Sequence, residues 1–278
     1  MKNKCFESLH INGKEYKIAG GSLKGSSYVR ILKNVHDPLD ELIIKINIKP
    51  ESKVRFENEI KFLANNKSSY FPDLITSGYI RYNDLQNAFE NGEYAFYVMP
   101  KYQTSLAEYN VNGLSYIRRL KLFLKICKAV AKLHSKGIVH RDIKPGNILI
   151  DNDRVLLCDF GIAQFPDLNI TVPGERLANS NYCAPEQRKI PYPPFGKYTD
   201  TYALGLILNE LFTQKIINGN NYTKIRDVAP SYAVLDDIVA LMIENDYSRR
   251  NEDVSSIIYL INQPRRPQRR SSSPGSTH

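Results

Sequence analysis

From residue 16 to residue 48 the apolar positions come in short runs of Ile, Val, Leu and Tyr, broken by Gly20, Gly21, Gly25 and Pro38. Short β-branched and aromatic runs between such breakers predict successive strands of an antiparallel sheet. The period then changes. Beyond Pro50 a helix is predicted from near Ser52, with Val54, Phe56, Ile60 and Leu63 at mixed helical spacing and an end in the polar cluster Asn65, Asn66, Lys67. Strand-like runs return at 73–80 and 93–99, with the polar stretch 82–92 as their connection. After Lys101 the pattern is helical. Residues 115–136 carry Leu120, Leu124, Ile126, Cys127, Val130 and Leu133 on one broad face, and residues 201–212 are apolar nearly all round, which predicts a buried central helix. Two later helices are expected at 234–243 and 252–261. The prediction is an α+β architecture of two lobes: a small antiparallel β-rich lobe with one helix, a connector near 99–103, and a larger, mainly helical lobe.

Composition narrows the function classes. An apolar share of 42% over 278 residues is enough to build a sizeable core, so global disorder is not expected. No run approaches the length of a membrane span, and the first residues, MKNKCFESLH, lack the apolar core of a secretion signal; a soluble cytoplasmic protein is the expectation. Cys5, Cys127, Cys158 and Cys183 form no CxxC pair and have no histidine at zinc-ligand spacing, so neither a disulfide framework nor a zinc site is indicated. Four of the nine excess positive charges lie in the last fifteen residues, PRRPQRRSSSPGSTH, which reads as a basic, disordered tail. The remainder shows no basic run interleaved with aromatics, and nucleic-acid binding is not expected.

The chemistry concentrates in three segments that occur in order: HRDIKPGNILI at 140–150, CDFG at 158–161 and APE at 184–186. Together with Lys45 in the apolar strand LIIKI and Glu59 fourteen residues on in RFENEIKFL, this set resembles the eukaryotic-type (Hanks-type) protein kinase family, of the serine/threonine kind, over about residues 16–263. The resemblance implies a protein-kinase-like fold with an N-lobe at 16–98, a hinge at 99–103 and a C-lobe at 104–263, preceded by an N-terminal extension at 1–15 and followed by the tail at 264–278. It implies ATP with Mg²⁺, or Mn²⁺ in its place, and protein substrates bearing Ser or Thr, with autophosphorylation among the reactions open to it.

Each residue role follows from what phosphoryl transfer needs, which is alignment and charge neutralisation more than covalent help. Asp142 matches the carboxylate that orients or deprotonates the acceptor hydroxyl, and Lys144 a cation that reaches the γ-phosphate. Asn147 and Asp159 match the Mg²⁺ ligands. An ammonium at Lys45 among apolar neighbours needs an anion, which Glu59 supplies; Glu57 is the fallback, on another face of the helix. Ala19, Gly20, Gly21, Ser22 and Gly25 match the phosphate-covering loop, with Ser22 in place of its middle glycine and Ser27 in place of the valine that follows it. Met99, Pro100 and Tyr102 match the adenine-binding connector: Pro100 keeps its carbonyl and Tyr102 its N–H.

Two departures bear on regulation. Glu175 stands where many relatives carry an activating phosphothreonine, so a carboxylate facing Arg141 is expected to make the domain constitutively active. Asn179 stands where a threonine usually bridges Asp142 and Lys144. Thr171, Ser180 and Tyr182 are candidate phosphorylation sites in the same segment. Glu186 with Arg250, and Asp200, resemble the family's structural anchors, and His140 and Phe160 its packed column between lobes. The alternatives are a pseudokinase-like ATP-binding or docking module, which the irregular glycine loop and Asn179 would favour, and a small-molecule phosphotransferase, which the APE segment argues against.

Overall fold

The computed structural model describes residues 8–24, 27–81, 93–165, 181–188, 195–219, 221–251 and 253–263. The chain opens with β1 (Ser8–Ile11), β2 (Lys14–Lys24), β3 (Ser27–Asn34) and β4 (Glu41–Asn47), continues through α1 (Lys53–Asn65), and completes the sheet with β5 (Thr76–Arg81) and β6 (Glu93–Pro100). All pairings are antiparallel, in the spatial order β1-β2-β3-β4-β6-β5. The alternation of burial in β4 follows its sequence: Leu42, Ile44 and Ile46 enter a core on the outer face of the sheet with Leu32 and Val98, while Lys45 points to the other side.

The sheet begins at Ser8, inside the segment 1–15 expected to be an extension. The cause is a two-residue turn at Asn12 and Gly13, both at positive φ (51° and 77°), which folds β1 back on β2. Asn-Gly is the residue pair that this mirror-image hairpin turn favours, so the signal was present in the sequence as INGK.

The second lobe contains β7 (Thr104–Ser105), α2 (Tyr116–His134), β8 (Ile148–Asp151), β9 (Arg154–Leu157), α3 (Lys197–Thr213), α4 (Ile225–Val228), α5 (Leu235–Met242) and α6 (Val254–Asn262). A small sheet β7-β8-β9 supports the loop between α2 and β8. As its sequence predicts, α3 is buried almost all round, packed against α2 and α5. It lies so close to α5 that a Cβ on Gly205 would come within 2.7 Å of both Met242 and Ile243. A single large core runs from Phe56 and Phe62 on α1 through Phe71 and Phe160 into the apolar faces of α2 and α3, and so joins the two lobes. Among the described residues no helix is long and apolar enough to cross a membrane.

Candidate active site

Between the lobes lies a cavity of about 330 Å³, with Val29, Ile31, Ile43, Lys45, Met99, Pro100, Tyr102, Asn147, Leu149 and Asp159 on its walls. Lys45 enters from β4, where its Cα is paired with Tyr97 on β6. Its ammonium lies 2.9 Å from Glu59 Oε2 and 2.8 Å from Asp159 Oδ1. Burial works against this charge, yet the carboxylates of Asp159 and Glu59 hold the Lys45 pKa well above its ordinary value. Glu59 is fully buried, and three further contacts fix it: Lys45 again at 3.0 Å, the Tyr97 hydroxyl at 3.0 Å and the Phe160 N–H at 3.1 Å, all donating to Oε1. Glu57 turns outward and accepts from the Tyr79 hydroxyl instead. Helix rotation thus decides between the two glutamates.

Asp142 and Asn147 come from the loop that follows α2. The Lys144 ammonium sits 2.6 Å from Asp142 Oδ2, and the Asn147 amide donates to the same oxygen at 2.9 Å and to the Asp142 carbonyl at 2.9 Å. Because its nitrogen is used inward, the amide oxygen of Asn147 remains as an acceptor on a residue lining the cavity, which Asp159 lines as well. Lys45 holds the Asp159 carboxyl down at about 2 against the opposing effect of burial, so it is anionic at neutral pH. One neutral and one anionic oxygen donor, with room for phosphate oxygens and water, suit a hard divalent cation such as Mg²⁺. Burial raises the Asp142 carboxyl above its ordinary range, with Lys144 opposing.

The loop is held from behind. Asp200, at the start of α3, accepts from the His140 and Arg141 N–H groups at 2.8 Å each and from His134 Nε2 at 2.8 Å. Burial opposes its charge, but these donors keep its carboxyl below the ordinary range. Arg141 and Asp159 both occupy left-handed backbone (φ 68° and 67°), a conformation that costs energy for non-glycine residues and is stabilised here by the surrounding contacts. The His140 ring lies 5.1 Å from that of Phe160, which in turn packs at 4.6 Å on Phe62 of α1.

Several expected residues fall elsewhere. Ser27 is buried at the head of β3, opposite Asn47, and does not take the place of the family's valine over the pocket. Val29 does: it pairs with Lys45 across the sheet and lines the cavity. The ladder between β3 and β4 is regular from Ser27 to Lys33, and this register puts Val29 opposite Lys45. Ala19 and Gly20 lie in β2, and the described lining of the cavity includes neither; Gly21 and Ser22 pair with Arg30 and Val29. Gly25, Thr171, Glu175, Asn179 and Ser180 lie outside the described residues. Two contributors were missed: Tyr97, whose only signal was its place opposite Lys45, and Gln187, whose side chain donates to the Arg141 carbonyl at 2.7 Å and ties the APE segment to the catalytic loop.

Comparison with known proteins decides the family. Residues 41–273 match the protein kinase domain family. The chain belongs to it. Among curated relatives, the serine/threonine-protein kinase PknD of Chlamydia abortus is 30% identical over 176 residues, covering 52% of this chain and 19% of that protein. The interferon-induced, double-stranded RNA-activated protein kinase of the rat is 42% identical over 93 residues, covering 33% of this chain and 18% of that protein. The chain therefore spans less than a fifth of the length of either. The crystal structure of the Mycobacterium tuberculosis PknI kinase domain superposes with a TM-score of 0.64 at 17% identity, covering 92% of this chain and 98% of that one, and shares the fold.

Proposed function

We propose that this kinase domain transfers the γ-phosphate of ATP to serine or threonine hydroxyls of proteins. The observation that carries the reading is Lys45 held between Glu59 and Asp159 at the cleft, with Asp142 bonded to Lys144 and to Asn147, which lines the same cleft. ATP supplies the transferable phosphoryl group, and Mg²⁺ the positive charge that offsets the charge developing on it. Met99, Pro100 and Tyr102 border the base end of the cavity, and Lys45, fixed by Glu59, faces the phosphates. Asn147 and Asp159 would hold Mg²⁺, and Mn²⁺ would fit the same oxygen donors. Asp142 aligns the acceptor hydroxyl and takes its proton, which its raised pKa favours, and Lys144 balances the charge beside it.

The reading extends to regulation at Glu175, a carboxylate placed by sequence to meet Arg141 without prior phosphorylation. Glu175→Ala is then expected to lower turnover, and unchanged turnover would remove this part of the proposal. The main test is Mg²⁺-dependent transfer of labelled γ-phosphate to a generic basic protein and to the domain itself, comparing wild type with Asp142→Asn and Lys45→Met. Label on serine or threonine with wild type and none with either variant supports the assignment. Wild type that binds ATP but labels no more than the variants would overturn it.

A further inference from the structure

The outer side of α2 carries charge that the site described above does not use. Arg118, Lys121, Lys125, Lys128 and Lys132 recur at spacings of three and four, which gathers them within about 80° of arc along about 21 Å of helix. Lys125 is half-buried and the other four are exposed. The helix contains no Asp or Glu, and among the described residues only Lys125 of the five meets an acid, Asp153 at 3.0 Å. Other surface cations are paired: Lys14 with Asp40, and Lys33 and Lys101 with Glu41. Like charges three and four residues apart repel along a helix, and Arg118 stands in the first turn, where the dipole favours an acid. The stripe thus costs helix stability, and the lining of the cleft includes none of the five. A partner of opposite charge accounts for it.

The surroundings select the partner. Ile117 continues the same side of the helix and is 49% exposed. The neighbouring α6, which packs against α2, has no charged residue and leaves Tyr259 (66%) and Leu260 exposed. An anionic bilayer matches both features. Its negative surface potential attracts clustered lysines, which as flexible point charges need no fixed geometry, and its headgroup boundary accepts isolated aliphatic and tyrosine side chains. A nucleic acid would draw on arginine forks and a platform of stacking aromatics. The stripe has one arginine, at its end, and no aromatic within its arc.

We propose that the outer side of α2 is a docking surface for an anionic lipid bilayer, with Arg118, Lys121, Lys128 and Lys132 facing the headgroups and Ile117 entering their boundary. The contact is electrostatic in the main, and therefore reversible and sensitive to salt. Because none of these residues lines the cleft, the docked domain keeps it open.

The test measures partition of the full chain onto sedimented vesicles, of phosphatidylcholine alone and of phosphatidylcholine with phosphatidylserine in equal parts. Wild type is compared with Lys121→Gln/Lys128→Gln/Lys132→Gln and with Lys49→Gln/Lys61→Gln/Lys67→Gln, which removes the same charge from exposed positions of the small lobe. Wild type is expected on the phosphatidylserine vesicles and not on phosphatidylcholine, with release at about 1 M salt, where the screening length falls to about 3 Å. One cation near an anionic surface is worth about fivefold in affinity, so the α2 variant should bind about 10²-fold more weakly and the small-lobe variant within about threefold of wild type. Phosphoryl transfer plays no part in the readout, so the result stands apart from the kinase reading. Wild type that binds both vesicles alike, or an α2 variant that binds as wild type does, would overturn the inference. Equal losses in the two variants would overturn it too, by making net charge the cause. Polyuridylate and polyglutamate are run in parallel. If the three α2 lysines govern binding of either polymer while the vesicles stay bare, the partner is a nucleic acid or an acidic protein and the bilayer proposal falls.

Discussion

The Arg250 guanidinium lies 2.8 Å from the carboxylate of Glu186, and both side chains are almost wholly excluded from solvent (0% and 1%). Arg250 uses every donor: Nη1 and Nη2 to the two oxygens of Glu186, Nη1 also to the Tyr198 carbonyl, and Nε and Nη2 to the Glu244 carbonyl. The pair fastens the APE segment to the beginning of α3 and to the chain that follows α5. Removing one partner would strand a buried charge, at a cost of about 3–5 kcal/mol. Arg250→Ala should therefore lower the melting temperature by roughly 10 °C at about 2–4 °C per kcal/mol. Calorimetry showing a shift of a degree or less would contradict this account.

Glu59→Gln keeps the shape of the buried side chain and removes its charge. Lys45 retains Asp159 at 2.8 Å, so the fold should hold. What changes is the direction of the ammonium, now drawn to Asp159 alone of the two carboxylates. Transfer is expected to fall about 10²-fold, the scale for losing one preorganised electrostatic contact. Steady-state kinetics alongside a melting curve separates this outcome from unfolding.

Asp142 and Asp159 predict opposite pH effects. The folded-state pKa of Asp159 is depressed to about 2, so its ionised form stabilises the fold. That contribution is complete above the unfolded carboxyl value of about 3.9 and is lost as pH falls through about 2. Asp142 is raised, so folding favours its protonated form and its charge at neutral pH costs stability. Asp142→Asn should then abolish transfer while leaving the melting temperature at pH 7 equal to or above that of wild type. The advantage should shrink as pH falls from the raised folded-state value of Asp142 toward the unfolded carboxyl value of about 3.9. Paired melting curves at pH 7 and pH 4 would show it, and a variant less stable than wild type at pH 7 would refute it.

Gly205→Ala tests the contact between α3 and α5. The added methyl would meet Met242 Cβ and Ile243 Cγ2 at 2.7 Å, and Met242 is fully buried. Overpacking of this kind costs about 1–3 kcal/mol. Since α3 also carries Asp200, which holds the catalytic loop, any loss of transfer should track the loss of stability in denaturant titrations. Full activity at unchanged stability would mean that the helices separate without cost.

The sequence by itself determined the two lobes, the central helix and the chemistry of the loop. Asp142, Lys144 and Asn147 lie within six residues of one another, and a short loop leaves their side chains few ways to avoid contact. The periodicity of residues 201–212 likewise required a helix buried on nearly every side, because no continuous polar face was available for solvent. The hairpin at Asn12-Gly13 was also legible, although the boundary was expected at residue 16.

Tertiary structure alone decided which residues meet across long separations. Lys45 reaches Glu59 at a separation of 14 residues and Asp159 at 114. The choice of Glu59 over Glu57 depends on how α1 is rotated against the sheet, and that of Val29 over Ser27 on the register of β3 against β4. A helix of a few turns can present either glutamate, and Ser27 and Val29, two residues apart, share one face of β3, so the register alone decides which stands opposite Lys45. These alternatives are nearly equal in local sequence preference, and only the packing of the joined core separates them.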